Sequence, residues 1–190
     1  MLDKSVPYVG FYMVRPAGTP IIEFPLPDRF SYALYKENDD VDWARIETSV
    51  LEFNSEADAL SYFDKSFKAD LDELRKRCLF IENENGKKIA TTTAWWHHVE
   101  NKRRAWLHWV AVDPEYQRLG LGKAIVSRAT KLQIELDGDV DIYLHTQTWS
   151  HRAVRIYEKL GYVITDEKIL YKNSKDENYK KAIKILKKIK

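Results

Sequence analysis

Between Trp106 and Lys123 the chain reads Trp-Leu-His-Trp-Val-Ala-Val-Asp-Pro-Glu-Tyr-Gln-Arg-Leu-Gly-Leu-Gly-Lys. No other stretch limits the possible folds as much. Its first seven residues are apolar or aromatic apart from His108, which predicts a buried strand. Asp113-Pro114 ends that strand, because proline fixes φ and has no N–H for a ladder. Gln117 to Gly122 then leads into Lys123-Ala-Ile-Val-Ser-Arg-Ala-Thr-Lys-Leu, where apolar residues recur at helical spacing. A strand, a turn and a glycine-containing helix start make an anion site. Free N–H groups and the positive end of the helix dipole converge there, and glycine admits a ligand close to the backbone.

At 190 residues, the chain fits one domain that buries about two-thirds of its unfolded surface. We expect residues 1–172 to form it. Residues 173–190 are expected to form a lysine-rich helix packed on it or appended to it. A composition of 44% hydrophobic and 13% aromatic residues predicts an ordered protein. Cys78 is the only cysteine, so an internal disulfide and a cysteine zinc site are excluded. No stretch has the length or apolarity of a signal peptide or membrane span, and the expected location is the cytoplasm. The net charge of +2 gives no overall pull toward nucleic acid. Residues 167–190 hold nine lysines and three acids, which is read as a solvated helix face. That region has no arginine and only two tyrosines, so base-stacking platforms are scarce. The oligomeric state is open, and a homodimer is compatible with the sequence.

Taken in order, Val9–Arg15 predicts a strand, and Ile21–Lys36 an extended loop with a short strand near Tyr32–Tyr35. Asn38 is expected to cap a helix from about Asp40 to Phe53, and Asn54-Ser55 to start another that breaks near Lys65-Ser66 and runs to about Arg77. Cys78–Glu82 and Lys88–Trp96 read as a hairpin, with Asn85-Gly86 supplying positive φ. A polar link, Glu100–Arg104, joins it to the opening strand. A helix over 120–136 crosses to a strand from Val140, which must then be parallel to strand 105–112. Ser150 is expected to cap the next helix, which ends at Gly161. Tyr162–Thr165 and Lys168–Tyr171 predict one long strand or two short ones. Ser174–Asp176 would cap a final amphipathic helix. The architecture is α/β, a mixed sheet with helices on both faces.

Gln117–Gly122 matches the Gln/Arg-x-x-Gly-x-Gly/Ala pattern of the GNAT acetyltransferase superfamily. Ser150 to Tyr162 resembles its second signature, with Ala153, Tyr157, Lys159 and Gly161 at matching positions. The resemblance is firm over residues 78–166. It implies a GNAT-like fold: a mixed, mostly antiparallel sheet with a central parallel pair whose strands splay apart, helices on both faces, and here an added C-terminal helix. It also implies an acetyl-CoA-dependent N-acetyltransferase that moves the acetyl group to a primary amine by direct attack in a ternary complex. Val110, Ala111 and Val112 would border pantetheine. Gln117, Arg118, Leu119, Gly120, Leu121 and Gly122 would hold the pyrophosphate, with Lys123 adding charge. Tyr157 resembles the tyrosine that protonates the departing thiolate. Ser150 stands where the family often has asparagine, which puts one pantetheine contact in doubt.

A lysine-like amine with pKa ~10.4 is free base only about once in 2,500 at pH 7, so a general base helps. By strand alternation His108 should share a face with Val110 and Val112. The arylalkylamine branch of the superfamily carries a histidine at the matching position, which makes His108 the candidate base. His97, His98 and Glu100 are weaker candidates. Direct acyl transfer requires no metal, and no HExxH-type spacing occurs. The acceptor, a small-molecule or peptide amine, is not legible. The rival reading is a non-catalytic acyl-CoA-binding sensor of the same fold.

Overall fold

A computed structural model describes residues 2–189. Seven strands form one sheet in the order β2-β3-β4-β5-β6-β1-β7. β1 spans Gly10–Arg15 and β2 Ser31–Leu34, and helices α1 (Asp39–Ser49), α2 (Glu56–Phe67) and α3 (Leu71–Arg77) follow. Next come β3 (Cys78–Glu82), β4 (Lys88–Val99), β5 (Lys102–Val112), α4 (Leu121–Asp137), β6 (Ile142–Gln147), α5 (His151–Lys159), β7 (Val163–Thr165) and α6 (Asn178–Lys188). Every neighbouring pair is antiparallel except β5 and β6, which are parallel, as the helical crossover requires.

The largest core lies on the sheet face covered by α4 and α5, where Ile125, Val126, Val154 and Leu160 meet Phe11, Met13, Leu107 and Leu144. Ala182 of α6 is fully buried in the same core, so the lysine-rich helix packs on the sheet. On the opposite face a second core joins α1 and α2 to β3–β5 through Trp43, Phe63, Phe67, Phe80 and Trp95. A third, smaller cluster on that face holds Val14, Val99, Trp106 and Tyr143. No helix among the described residues is long and apolar enough to cross a membrane.

Several local expectations change. Asn38 sits in the left-handed region at φ 72° and makes no side-chain cap. Asp39 instead accepts from the Lys36 N–H at 2.7 Å. Ser55 does cap α2, accepting from the Asp58 N–H, but the break before α3 is a 3-10 turn at Lys68–Asp70, three residues later than predicted. In the β3–β4 turn only Gly86 has positive φ, because the Asn83 carboxamide oxygen holds the turn by accepting from the Asn85 and Lys87 N–H groups. The predicted link 100–104 shrinks to Glu100-Asn101, both with positive φ, a tight two-residue turn that lengthens β4 and β5. Ser150 makes no side-chain cap. Residues Glu167–Ile169 form a 3-10 turn, so the second strand expected near Lys168–Tyr171 is absent; Asp166 accepts from the Lys168 N–H and turns the chain away from the sheet. α6 lacks the expected cap as well, since Glu177 precedes it without a side-chain bond.

Trp43 is fully buried and touches Phe53, Tyr62, Phe63, Phe67 and Trp109. Trp43→Ala should therefore cost about 3–5 kcal/mol. Urea unfolding should show a lower midpoint at unchanged slope; a loss under about 1 kcal/mol would show that the second core does not depend on it.

Candidate active site

The site begins with a fault in β5. Thr93 pairs with His108 and Thr91 with Ala111, so Trp109 and Val110 both lie opposite Thr92. The Thr92 hydroxyl donates to the His108 carbonyl at 3.0 Å. Trp109 adopts φ 51°, a conformation that β-bulges accept and bulky residues otherwise avoid. The extra residue reverses the alternation. Val110 and Val112 turn to the α4 core, while His108 packs edge-on to Phe67 and 4.5 Å from the His97 ring, centroid to centroid. The expected shared face of His108, Val110 and Val112 is thus corrected.

β5 and β6 pair only at Ala105–Ile142 and Trp106–Tyr143. Beyond that point each strand stays with its outer neighbour: β5 with β4 as far as Val112, and β6 with β1 as far as Gln147. The sheet therefore opens between them, and two cavities fill the opening.

The first cavity, about 370 Å³, runs between β5 and α5 to the start of α4. Val110, Ala111, Val112, Gln117, Arg118, Gly120, Leu121, Gly122, Lys123, Ser150 and Tyr157 all line it, but Leu119 does not. Leu119 is exposed. Sequence reasoning missed Arg152, Ala153 and Ile156, which complete the wall from α5. Gly120, at φ 86°, precedes α4 without a side-chain cap, and no acid lies in the first turn. The orphan N–H groups of that turn are left for an anion. A Cβ on Gly122 would stand 3.2 Å from Ile156 Cδ1, so glycine keeps the slot open there. The Gln117 carboxamide donates to the Val112 carbonyl at 3.0 Å and ties the loop to the strand. Lys123 points away, its ammonium 5.0 Å from the Phe24 ring centre. Uncapped N–H groups, a glycine-cleared floor and the basic residues Arg118, Arg152 and Lys159 fit a pyrophosphate-bearing acyl carrier.

The second cavity, about 420 Å³, opens on the α1–α2 face. Aromatic residues Tyr12, Tyr62, Trp106 and Trp109 form its walls, with the imidazoles of His97, His98, His108 and His145 and the carboxyls of Glu47 and Glu52. Val110, Ser150, Ala153, Tyr157 and Glu52 line both cavities, so the two meet at Tyr157. The Tyr157 side chain is 6% exposed. Burial, chiefly, then Tyr162, Glu47 and Glu52, pushes its phenol well above the ordinary range. His97 and His145 are lowered, each mainly by desolvation. His108 is pushed down to about 3 by burial and then by His97, and its Nε2 has no hydrogen-bond partner. His145, Glu47 and Glu52 were missed from sequence. For His145 the signal was parity, since it falls two residues beyond buried Tyr143 on the same strand face.

A sequence profile described as the Acetyltransferase (GNAT) family matches residues 42–162. Over 115 residues the chain is 30% identical to N-alpha-acetyltransferase 50 of Danio rerio, covering 59% of this chain and 66% of that protein. It is 35% identical over 66 residues to N-alpha-acetyltransferase 30 of Homo sapiens, covering 35% of this chain and 18% of the relative. Among solved structures, a GCN5-related N-acetyltransferase from Sphaerobacter thermophilus superposes with TM-score 0.66 at 14% identity, over 84% of this chain and 49% of that one. This likeness shows a shared fold. The chain spans less than two-thirds of each of these relatives.

His108 supplies a pH signature. Its folded pKa lies near 3, below the unfolded value of about 6.5, so the unfolded chain binds the extra proton. The stabilisation is full above about pH 6.5 and is lost as pH falls toward 3, by up to about 1.4 kcal/mol per pH unit. Urea titrations at pH 6.5 and 5 should show a shallower loss for His108→Asn than for the unaltered chain; parallel losses would place a protonated imidazole at this site.

Proposed function

This chain belongs to the GNAT acetyltransferase family, and we propose that it transfers the acetyl group of acetyl-CoA to a primary amine by direct attack in a ternary complex. The observation that carries this reading is the meeting of a phosphate-suited slot and an amine-suited cavity at one buried phenol, Tyr157. Acetyl-CoA supplies an activated thioester. Gly120, Gly122 and the start of α4 hold its pyrophosphate through backbone N–H groups, while Val110 to Val112 border the pantetheine arm.

Tyr157 donates its phenolic proton to the leaving sulfur, a role suited to a group that stays protonated at neutral pH. The entering amine must lose a proton to the protein or to water. His108, held near pKa 3, accepts protons too weakly near neutrality to serve well. His97 and His145 open onto the same cavity with smaller downward shifts, and we assign the proton to one of them. The names of the N-alpha-acetyltransferase relatives support a peptide α-amine among the acceptors. Such an amine, with pKa near 7.8, is free about one time in seven at pH 7.

Tyr157→Phe should lower kcat by about 10²–10⁴ as expected for a lost general acid, with acetyl-CoA affinity little changed. A thiol assay of CoA release against a panel of amines and peptides measures it. Unaltered turnover would remove Tyr157 from the mechanism, and CoA binding without release from any amine would overturn the transferase reading.

A further inference from the structure

The two cavities differ in the ionisable side chains that line them. Arg118, Arg152 and Lys159 line the cofactor slot, with Glu52 its only acid among the described residues. Among the described residues, the other cavity is lined by Glu47 and Glu52 and by no lysine or arginine.

Glu47 is 1% exposed, and its Oε1 is buried without a hydrogen-bond partner. A buried carboxyl with no partner is costly; a ligand that supplies the partner removes that cost. The surroundings suit a cation. Tyr12, Tyr62, Trp106 and Trp109 line the same cavity, and aromatic faces attract positive charge. The nearby imidazoles of His97, His108 and His145 are all shifted toward the neutral form and do not neutralise the carboxyl.

Position decides which cation. Glu47 lines the acceptor cavity alone, whereas Glu52, Val110, Ser150, Ala153 and Tyr157 line both. The attacking nitrogen belongs at that junction, which Glu47 does not line. A carboxylate on the attacking nitrogen would also stabilise its ammonium form, which cannot attack.

We propose that Glu47 seats a second positive charge of the acceptor, so that the preferred substrate is an amine bearing another cationic nitrogen on a short flexible chain. The inference rests on the acyl-transfer reading for the identity of the guest. Burial, and then Glu52, pushes the Glu47 carboxyl well above the ordinary carboxylate range, a shift that a bound cation would reverse.

Calorimetric titration with 1,5-diaminopentane and with 1-aminopentane tests the seat directly. The unaltered chain should bind the diamine about tenfold to a hundredfold more tightly, the range expected for a hydrogen-bonded charge. Glu47→Gln, which keeps the side-chain shape, should abolish the preference. Equal binding by the unaltered chain, no diamine binding, or a preference that survives Glu47→Gln would overturn the proposal. A pair of dipeptide amides with lysine or norleucine at the second position shows whether a peptide supplies the second cation. CoA release is measured separately. A diamine preference without release keeps the cation seat and overturns the transferase reading, and release without a preference does the reverse.

Discussion

The left-handed turn of Trp109 within β5 is the constraint on which the site's geometry depends. A tryptophan at φ 51° is strained by about 1–2 kcal/mol. Its contacts with Trp43, Phe53 and Tyr62 hold it there. With one extra residue opposite Thr92, Val110 and Val112 turn toward the α4 core, lining the slot proposed for the acyl carrier. The pairing of β5 with β6 ends nearby, after Trp106 and Tyr143, and the sheet opens there.

The helix over the acceptor cavity and the loop at the cofactor slot are mechanically joined. Arg45 on α1 donates to Asp113 at 3.4 Å and to the Lys88 carbonyl at 2.6 Å. Asp113 in turn accepts from the Glu115 N–H at 3.1 Å and starts the turn that leads to Gln117. The helix carrying Glu47 is therefore tied to the loop at the head of α4. At 28% exposure for Arg45, the pair orients more than it stabilises, because partly solvated ion pairs contribute about 0–1 kcal/mol.

What could be read from the sequence was local and periodic. The strand–turn–helix at 106–123, the crossover to β6 and the Gly161 stop each follow from short-range rules on φ, alternation and capping, and all appear in the structure. Two signatures in register placed the family. The missed features depend on long-range partners. Nothing near His108 announces a bulge whose cause is an aromatic cluster supplied by α1 and α2. Glu47 sits on α1 among ordinary helix residues, and only the packing of α1 over β5 makes it a buried lining group. Lys168–Tyr171 has strand composition, yet Asp166 bends the backbone into a 3-10 turn.

The central claim is that the gap between β5 and β6 holds the acyl carrier with its thioester at Tyr157. A crystal structure with acetyl-CoA bound tests it most directly. Pantetheine should lie alongside Val110 to Val112, pyrophosphate at the start of α4 and the thioester sulfur within hydrogen-bond reach of the Tyr157 hydroxyl. Acetyl-CoA seated elsewhere, or with its thioester remote from Tyr157, would contradict it.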